Sequence, residues 1–192
     1  MSYYRKLCGE KCYLSPIQAE DAAAWTTWMN DLQVTLPLGD EAYVPFSLEK
    51  MQEDVADSIR SQHHIFSIVT CANDRLIGRC LLFSVDPVNR SAMMGILIGE
   101  KDCWNQGYGQ EATRLLLDYA FNLLNLHSIM LGAYSFNQRA IQTYHKVGFK
   151  EIGHHRDARI IAGKPYDGVL MDILEDEFRA RYPSAIPFEA QA

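Results

Sequence analysis

Residues 91–124, SAMMGILIGEKDCWNQGYGQEATRLLLDYAFNLL, constrain the fold more than any other segment. They open on an apolar run, SAMMGILIG, that suits a buried strand. They close on a stretch in which Ala112, Leu115, Leu116, Tyr119, Ala120 and Leu123 recur at the i, i+3, i+4 spacing of an amphipathic helix. Between the two stand Gly107 and Gly109. Glycine at a helix threshold costs conformational entropy, so the bare backbone there answers a need. A strand, a glycine turn and a helix start together form an anion site, because successive N–H groups point outward where the helix dipole favours negative charge. The stretch has neither the lysine of a G-x-x-x-x-G-K-[ST] loop nor the third glycine of G-x-G-x-x-G. A pyrophosphate held by backbone alone is what remains.

The rest of the chain supplies a mixed α+β pattern around this crossover. KCYLSPI (11–17) reads as a short first strand, and 19–32 as a helix with Ala23, Trp25, Trp28 and Met29 on a partly apolar face. QVTLPLGDEAYVPF, with two prolines and a Gly-Asp pair, reads as a loop. Ser47 is a suitable N-cap for a second helix from Leu48 to about Ser61, with Met51, Val55 and Ile59 at helical spacing. HIFSIVTC and RLIGRCLLFSVD form a hairpin about the AND turn, and PVNR leads on to the central run. SIMLGAY (128–134) is a strand, 137–147 a helix closed by Gly148, and KEIGHHRDARII and VLMDILED a last hairpin about Ala162-Gly163. The tail YPSAIPFEAQA reads as loosely held.

Composition narrows the function classes. The 192 residues suit one domain, and a net charge of −6 with no basic stripe argues against a nucleic-acid face. Five cysteines without a C-x-x-C pair read as reduced thiols rather than a disulfide framework or zinc site. The doublets His63-His64 and His154-His155 point opposite ways on a strand, so neither chelates a metal easily. No segment approaches the ~18 apolar residues of a membrane span, and the first residues do not read as a signal peptide. A cytoplasmic setting is the expectation.

About thirty residues after the glycine turn comes NQRAIQTYHKVGF. This order and spacing resembles the GNAT superfamily of acetyl-CoA-dependent N-acetyltransferases, and the run 95–149 is similar to its RimJ/RimL branch. The resemblance implies a single domain over 10–176, with 177–192 as a tail. It implies a twisted, mainly antiparallel sheet with a splayed central parallel pair and helices on both faces. It implies acetyl transfer from acetyl-CoA to a primary amine, either a protein N-terminus or a small molecule, by direct attack in a ternary complex without a metal; a homodimer is compatible with it. The family motif Q/R-x-x-G-x-G/A falls on Trp104, Asn105, Gln106, Gly107, Tyr108 and Gly109, with Trp104 departing from its first position. By the same resemblance Leu97, Ile98 and Gly99 bind the pantetheine arm, Asn137 contacts the cofactor, and Tyr144 protonates the leaving thiolate. The bottom-up geometry agrees, since Asn137 and Tyr144, seven residues apart, share one helix face.

The general base does not carry over. The positions that supply it in relatives fall on Gly132 and Arg159, which leaves Glu100 and Asp167 as candidates. Asp40, Glu41, Glu49, Glu53, Asp54 and Asp57 either draw a polyamine or form a solvated face. Trp25, Trp28 and Trp104 either line an acceptor pocket or fill the core. Cys103 reads as a small buried hydrophobe beside the glycine loop. The rival reading is a catalytically idle acyl-CoA-binding module.

Overall fold

A computed structural model describes residues 3–184 and 186. Eight strands form one sheet: β1 (Leu7–Cys8), β2 (Cys12–Pro16), β3 (Ile65–Thr70), β4 (Leu76–Asp86), β5 (Ser91–Ile98), β6 (Ser128–Tyr134), β7 (Lys150–Ile161) and β8 (Lys164–Leu174), in the order β1-β2-β3-β4-β5-β6-β8-β7. Every neighbouring pair is antiparallel except β5–β6. A parallel pair needs a crossover, and helix α4 (Tyr108–Asn122) supplies it. The other helices are α1 (Asp21–Met29), α2 (Leu32–Thr35), α3 (Leu48–Arg60), α5 (Gln138–Val147) and α6 (Glu175–Arg179). This is the mixed α+β sheet with a central parallel pair that the sequence implies.

Alternation along β5 divides the core. Ala92 and Met94 join Leu115, Leu116 and Phe121 of α4 and Ile141 and Val147 of α5 in the larger cluster. Leu97 points the other way, into a second cluster with Trp25, Trp28 and Met29 of α1 and Met51 and Val55 of α3. Helices thus cover both faces.

Several local expectations shift. The first helix stops at Met29, and Asp31 starts a separate α2 by accepting from the Gln33 N–H at 2.9 Å. The stretch read as a loop therefore holds α2 and a 3-10 turn at Asp40–Tyr43. On α1 the buried alanine is Ala22, with Ala23 exposed. The phase is set by Asp21, whose buried carboxylate accepts from Tyr3 Oη, the Gln18 N–H and Ser67 Oγ. Ser47 caps α3 as expected, accepting from the Lys50 N–H at 3.1 Å, but Ile59 near its end is exposed. Packing continues past 176: Phe178 of α6 is buried against Phe121, ring centres 5.5 Å apart. Residues 185 and 187–192 of the expected tail lie outside the described residues.

Glu111, in the first turn of α4, fixes that helix to the sheet edge. Its carboxylate accepts from the N–H groups of Glu10 (2.9 Å), Lys11 (2.8 Å) and Cys12 (2.8 Å). Burial raises its pKa, but the three donors lower it further, so it sits below the usual carboxylate value. A depressed folded-state pKa contributes stability above the unfolded value and loses it as pH falls through the folded one. Glu111→Gln should therefore cost ~1–3 kcal/mol near neutral pH. Urea unfolding of both proteins should show that gap beginning to close below about pH 4 and narrowing as pH falls through the depressed folded-state pKa, where the wild-type carboxylate takes up its proton.

Candidate active site

The parallel pair is joined only from Ser91↔Ser128 to Met93↔Met130, after which β5 and β6 diverge. Gly99 donates its N–H to Ile77 O at 2.9 Å on the β4 side. By alternation Ile98 therefore turns its N–H and C=O away from β4, into the splay. There its carbonyl accepts from Trp104 Nε1 at 2.7 Å. The splay opens into a cavity of about 1030 Å³, walled by β5 from Met93 to Ile98, the end of β6, the start of α4, helix α5 and the segment 34–41.

At one end lies the glycine turn. Gly107 caps α4 with φ +89°, a left-handed conformation that disfavours any side chain. The N–H groups of Tyr108, Gly109 and Gln110, which open the helix, find no acceptor among the described residues. A Cβ on Gly109 would meet only Ile98 Cγ1, at an ordinary 3.7 Å. The protein itself thus leaves room at Gly109, which answers why the helix threshold is bare: the space faces the cavity.

Seven of the ten residues expected to touch the donor line this cavity: Leu97, Ile98, Trp104, Asn105, Gly107, Gly109 and Asn137. Three are not among its lining residues. Gly99 is bare because a Cβ would collide with the Trp28 ring. Gln106 turns its carbonyl to Lys11 Nζ at 2.9 Å, and the Tyr108 carbonyl lies 3.9 Å from Cys12 Sγ. Trp104, at the motif's divergent position, packs beneath the Arg139 guanidinium, 3.8 Å from its ring centre. Arg139 and Lys146 also line the cavity and bring positive charge to it.

Tyr144 lies on α5, which Asn137 caps by accepting from the Ala140 N–H at 3.3 Å. The tyrosine lines the cavity and is 8% exposed, and its hydroxyl has no hydrogen-bond partner among the described residues. Burial pushes its pKa up to about 12, so it is protonated at any ordinary pH.

Neither expected base is at the cavity. Glu100 gives one oxygen to Trp28 Nε1 at 2.9 Å and the other to Arg75, away from the splay. Asp167 accepts from the Asp157 N–H at 2.9 Å and is not among the lining residues. Arg159 is a buried clamp: Nη1 donates to Gly39 O (2.5 Å), Leu38 O and Tyr134 Oη, and the guanidinium lies against the Tyr43 and Tyr134 rings. The carboxylate that does line the cavity is Glu41, whose Oε2 is buried without a donor. Sequence reasoning had it only within an acidic group. Arg79, also on the wall, was missed; its signal was a lone charge inside the apolar run LIGRCLLF. Among the described residues no group of three or more His, Cys, Asp or Glu could hold a metal ion, and no helix is long and apolar enough to cross a membrane.

Residues 11–150 match the family model described as an acetyltransferase (GNAT) domain. The chain is 30% identical over 135 residues to the spermidine N(1)-acetyltransferase of Vibrio cholerae, covering 70% of this chain and 78% of that one. It is 28% identical over 171 residues to an uncharacterized N-acetyltransferase, p20, of Bacillus licheniformis, covering 88% and 96%. The crystal structure of the Vibrio cholerae spermidine N-acetyltransferase in complex with CoA and spermine superposes with a TM-score of 0.81 at 26% identity, over 89% of this chain and 99% of that one. Fold, cavity and sequence agree: the chain belongs to the GNAT acetyltransferases, enzymes whose acetyl donor is acetyl-CoA.

Proposed function

We propose that this enzyme transfers acetyl from acetyl-CoA to a primary amine by direct attack within a ternary complex. The observation that carries the reading is one chamber walled by both the start of α4, whose first N–H groups are unpartnered, and an unpartnered tyrosine hydroxyl. The bound donor supplies the activated acetyl thioester. The N–H groups of Tyr108, Gly109 and Gln110 hold its phosphates, with Arg139 and Lys146 adding positive charge. The Ile98 N–H, facing the splay, receives the oxygen on which negative charge develops as the amine attacks. Tyr144 hydrogen-bonds to the departing sulfur and gives it a proton. A buried thiol is pushed up in pKa just as Tyr144 is, as Cys103 on the same wall illustrates. The two groups are therefore better matched in proton affinity than Tyr144's own value suggests. We assign the proton lost by the attacking nitrogen to Glu41, on the strength of its free, buried oxygen.

The RimJ/RimL-like character remains part of this proposal. It is supported by the run 95–149 and by 28% identity over 137 residues to a putative ribosomal N-acetyltransferase, YdaF, of Bacillus subtilis, across 70% of this chain and 74% of that one. Acceptance of small amines is supported by the spermidine acetyltransferases among the relatives.

Gly107→Val tests the phosphate cradle. A β-branched residue at φ +89° is strained by ~1–2 kcal/mol or more and moves the turn off its present path. Acetyl-CoA affinity, read by calorimetric titration, should fall ~10-fold or more. Unchanged affinity contradicts the cradle.

A further inference from the structure

The end of the cavity walled by the segment 34–41 carries charges for which neither the acetyl donor nor Tyr144 has a use. Arg79 of β4 lines it, beside Leu97 in the strand register. Its guanidinium lies over the Trp25 ring, 4.7 Å from the centre, with Nη2 3.8 Å from Met29 Sδ. Among the described residues it makes no ion pair. Burial pushes its pKa below the usual arginine value, and the more distant carboxylates of Glu41 and Asp54 oppose that shift. Arg159, 3% exposed, grips the same segment through Leu38 O and Gly39 O, and its Nε and Nη2 have no acceptor. Against these two cations stands Glu41, with its unpartnered Oε2. Val34, Pro37, Leu81 and Phe83 give the same cavity apolar lining.

Buried charges without an opposite charge beside them are costly, and a substrate that supplies the missing charge recovers that cost on binding. A polyamine supplies only cations, which Arg79 and Arg159 repel. Building on the acetyl-transfer reading, we propose that the acceptor is a zwitterionic amine with an apolar body, an amino acid or close analogue. Its carboxylate is drawn to Arg79 and its ammonium to Glu41. Arg159 acts as a positioning residue that holds the segment 38–39 in place and adds to the positive field.

Matched acceptors that differ only in the carboxylate test this: phenylalanine against phenethylamine, and methionine against 3-(methylthio)propylamine, with spermidine as the polycation. Turnover with acetyl-CoA and affinity in the presence of CoA are both measured, so a ligand that binds without reacting still reports the preference. A charge-assisted pair predicts that the carboxylated member of at least one pair is preferred ~10-fold or more over its amine, and over spermidine. Arg79→Met should bring that ratio to about one, and Arg79→Lys, which keeps the charge, should restore part of it. Preference for spermidine or for the decarboxylated amines overturns the inference and leaves acetyl transfer standing. So does a carboxylate preference that survives Arg79→Met. Absence of acetyl-CoA binding, titrated on its own, overturns the donor reading and this inference together.

Discussion

Tyr144→Phe should lower kcat by ~10²-fold or more while the KM for acetyl-CoA stays within a few-fold of wild type. The hydroxyl makes no protein hydrogen bond among the described residues, so its removal breaks no contact that holds the fold. The ring stays packed against Phe149, 5.7 Å between centres, and keeps the wall in shape. What is lost is the donor to the leaving sulfur, which matters only as the thioester bond breaks. Steady-state kinetics over a pH series adds a second reading. With a pKa of about 12, Tyr144 itself contributes no ionisation to the wild-type profile near neutrality, and the deficit of the variant should be constant there. The sign of its linkage to stability follows from the same shift. The folded pKa lies above the unfolded value of ~10, so the fold loses stability as pH rises past about 10.

Trp28→Ala should destabilise the protein by ~3–5 kcal/mol, the range for removing a large buried aromatic. Trp28 is 3% exposed, fills the space over Gly99, and donates Nε1 to Glu100 Oε1 at 2.9 Å. Its loss leaves a cavity beside the end of β5 and removes the hydrogen bond that Glu100 accepts from α1. Chemical denaturation measures the cost. The reciprocal change, Gly99→Ala, places a methyl inside the Trp28 ring and should destabilise by a different physical route, overpacking rather than void. Both changes also loosen the anchorage of α1 beside the cavity, so acetylation should weaken in whatever fraction remains folded.

The sheet and its crossover were legible because periodicity and turn chemistry act locally. SIMLGAY became β6 at Ser128–Tyr134, Ser47 caps α3, and the Ala162-Gly163 turn has both residues at positive φ. The segment 31–43 was not legible: Pro37 and the Gly39-Asp40 pair mask a four-residue helix whose start depends on a side-chain cap. Nor does local pattern show that Phe178 is buried, since its partners Phe121 and Tyr182 come together only through the fold. In the cavity, the glycine turn could be read because its conformation is a property of the backbone. Glycine has two distinct uses here, and spacing alone cannot tell Gly107, set by φ, from Gly99, set by a tryptophan. The carboxylates show the same limit. Glu100 lies four residues before the motif and Asp167 on the last hairpin, yet both are engaged elsewhere, whereas Glu41 arrives from the segment before α3.

The central claim is acetyl transfer to an amine, and the most direct measurement of it is mass. Protein and acetyl-CoA are incubated with a panel of amines comprising amino acids, spermidine, peptides with free N-termini, aminoglycosides and amino sugars. Products are read by mass spectrometry, which the five cysteines of the protein cannot confuse as they would a thiol dye. The account predicts an acceptor heavier by one acetyl group, formed by the wild type and strongly reduced in Tyr144→Phe. Tight binding of acetyl-CoA with every acceptor left unmodified, or equal acetylation by Tyr144→Phe, contradicts it.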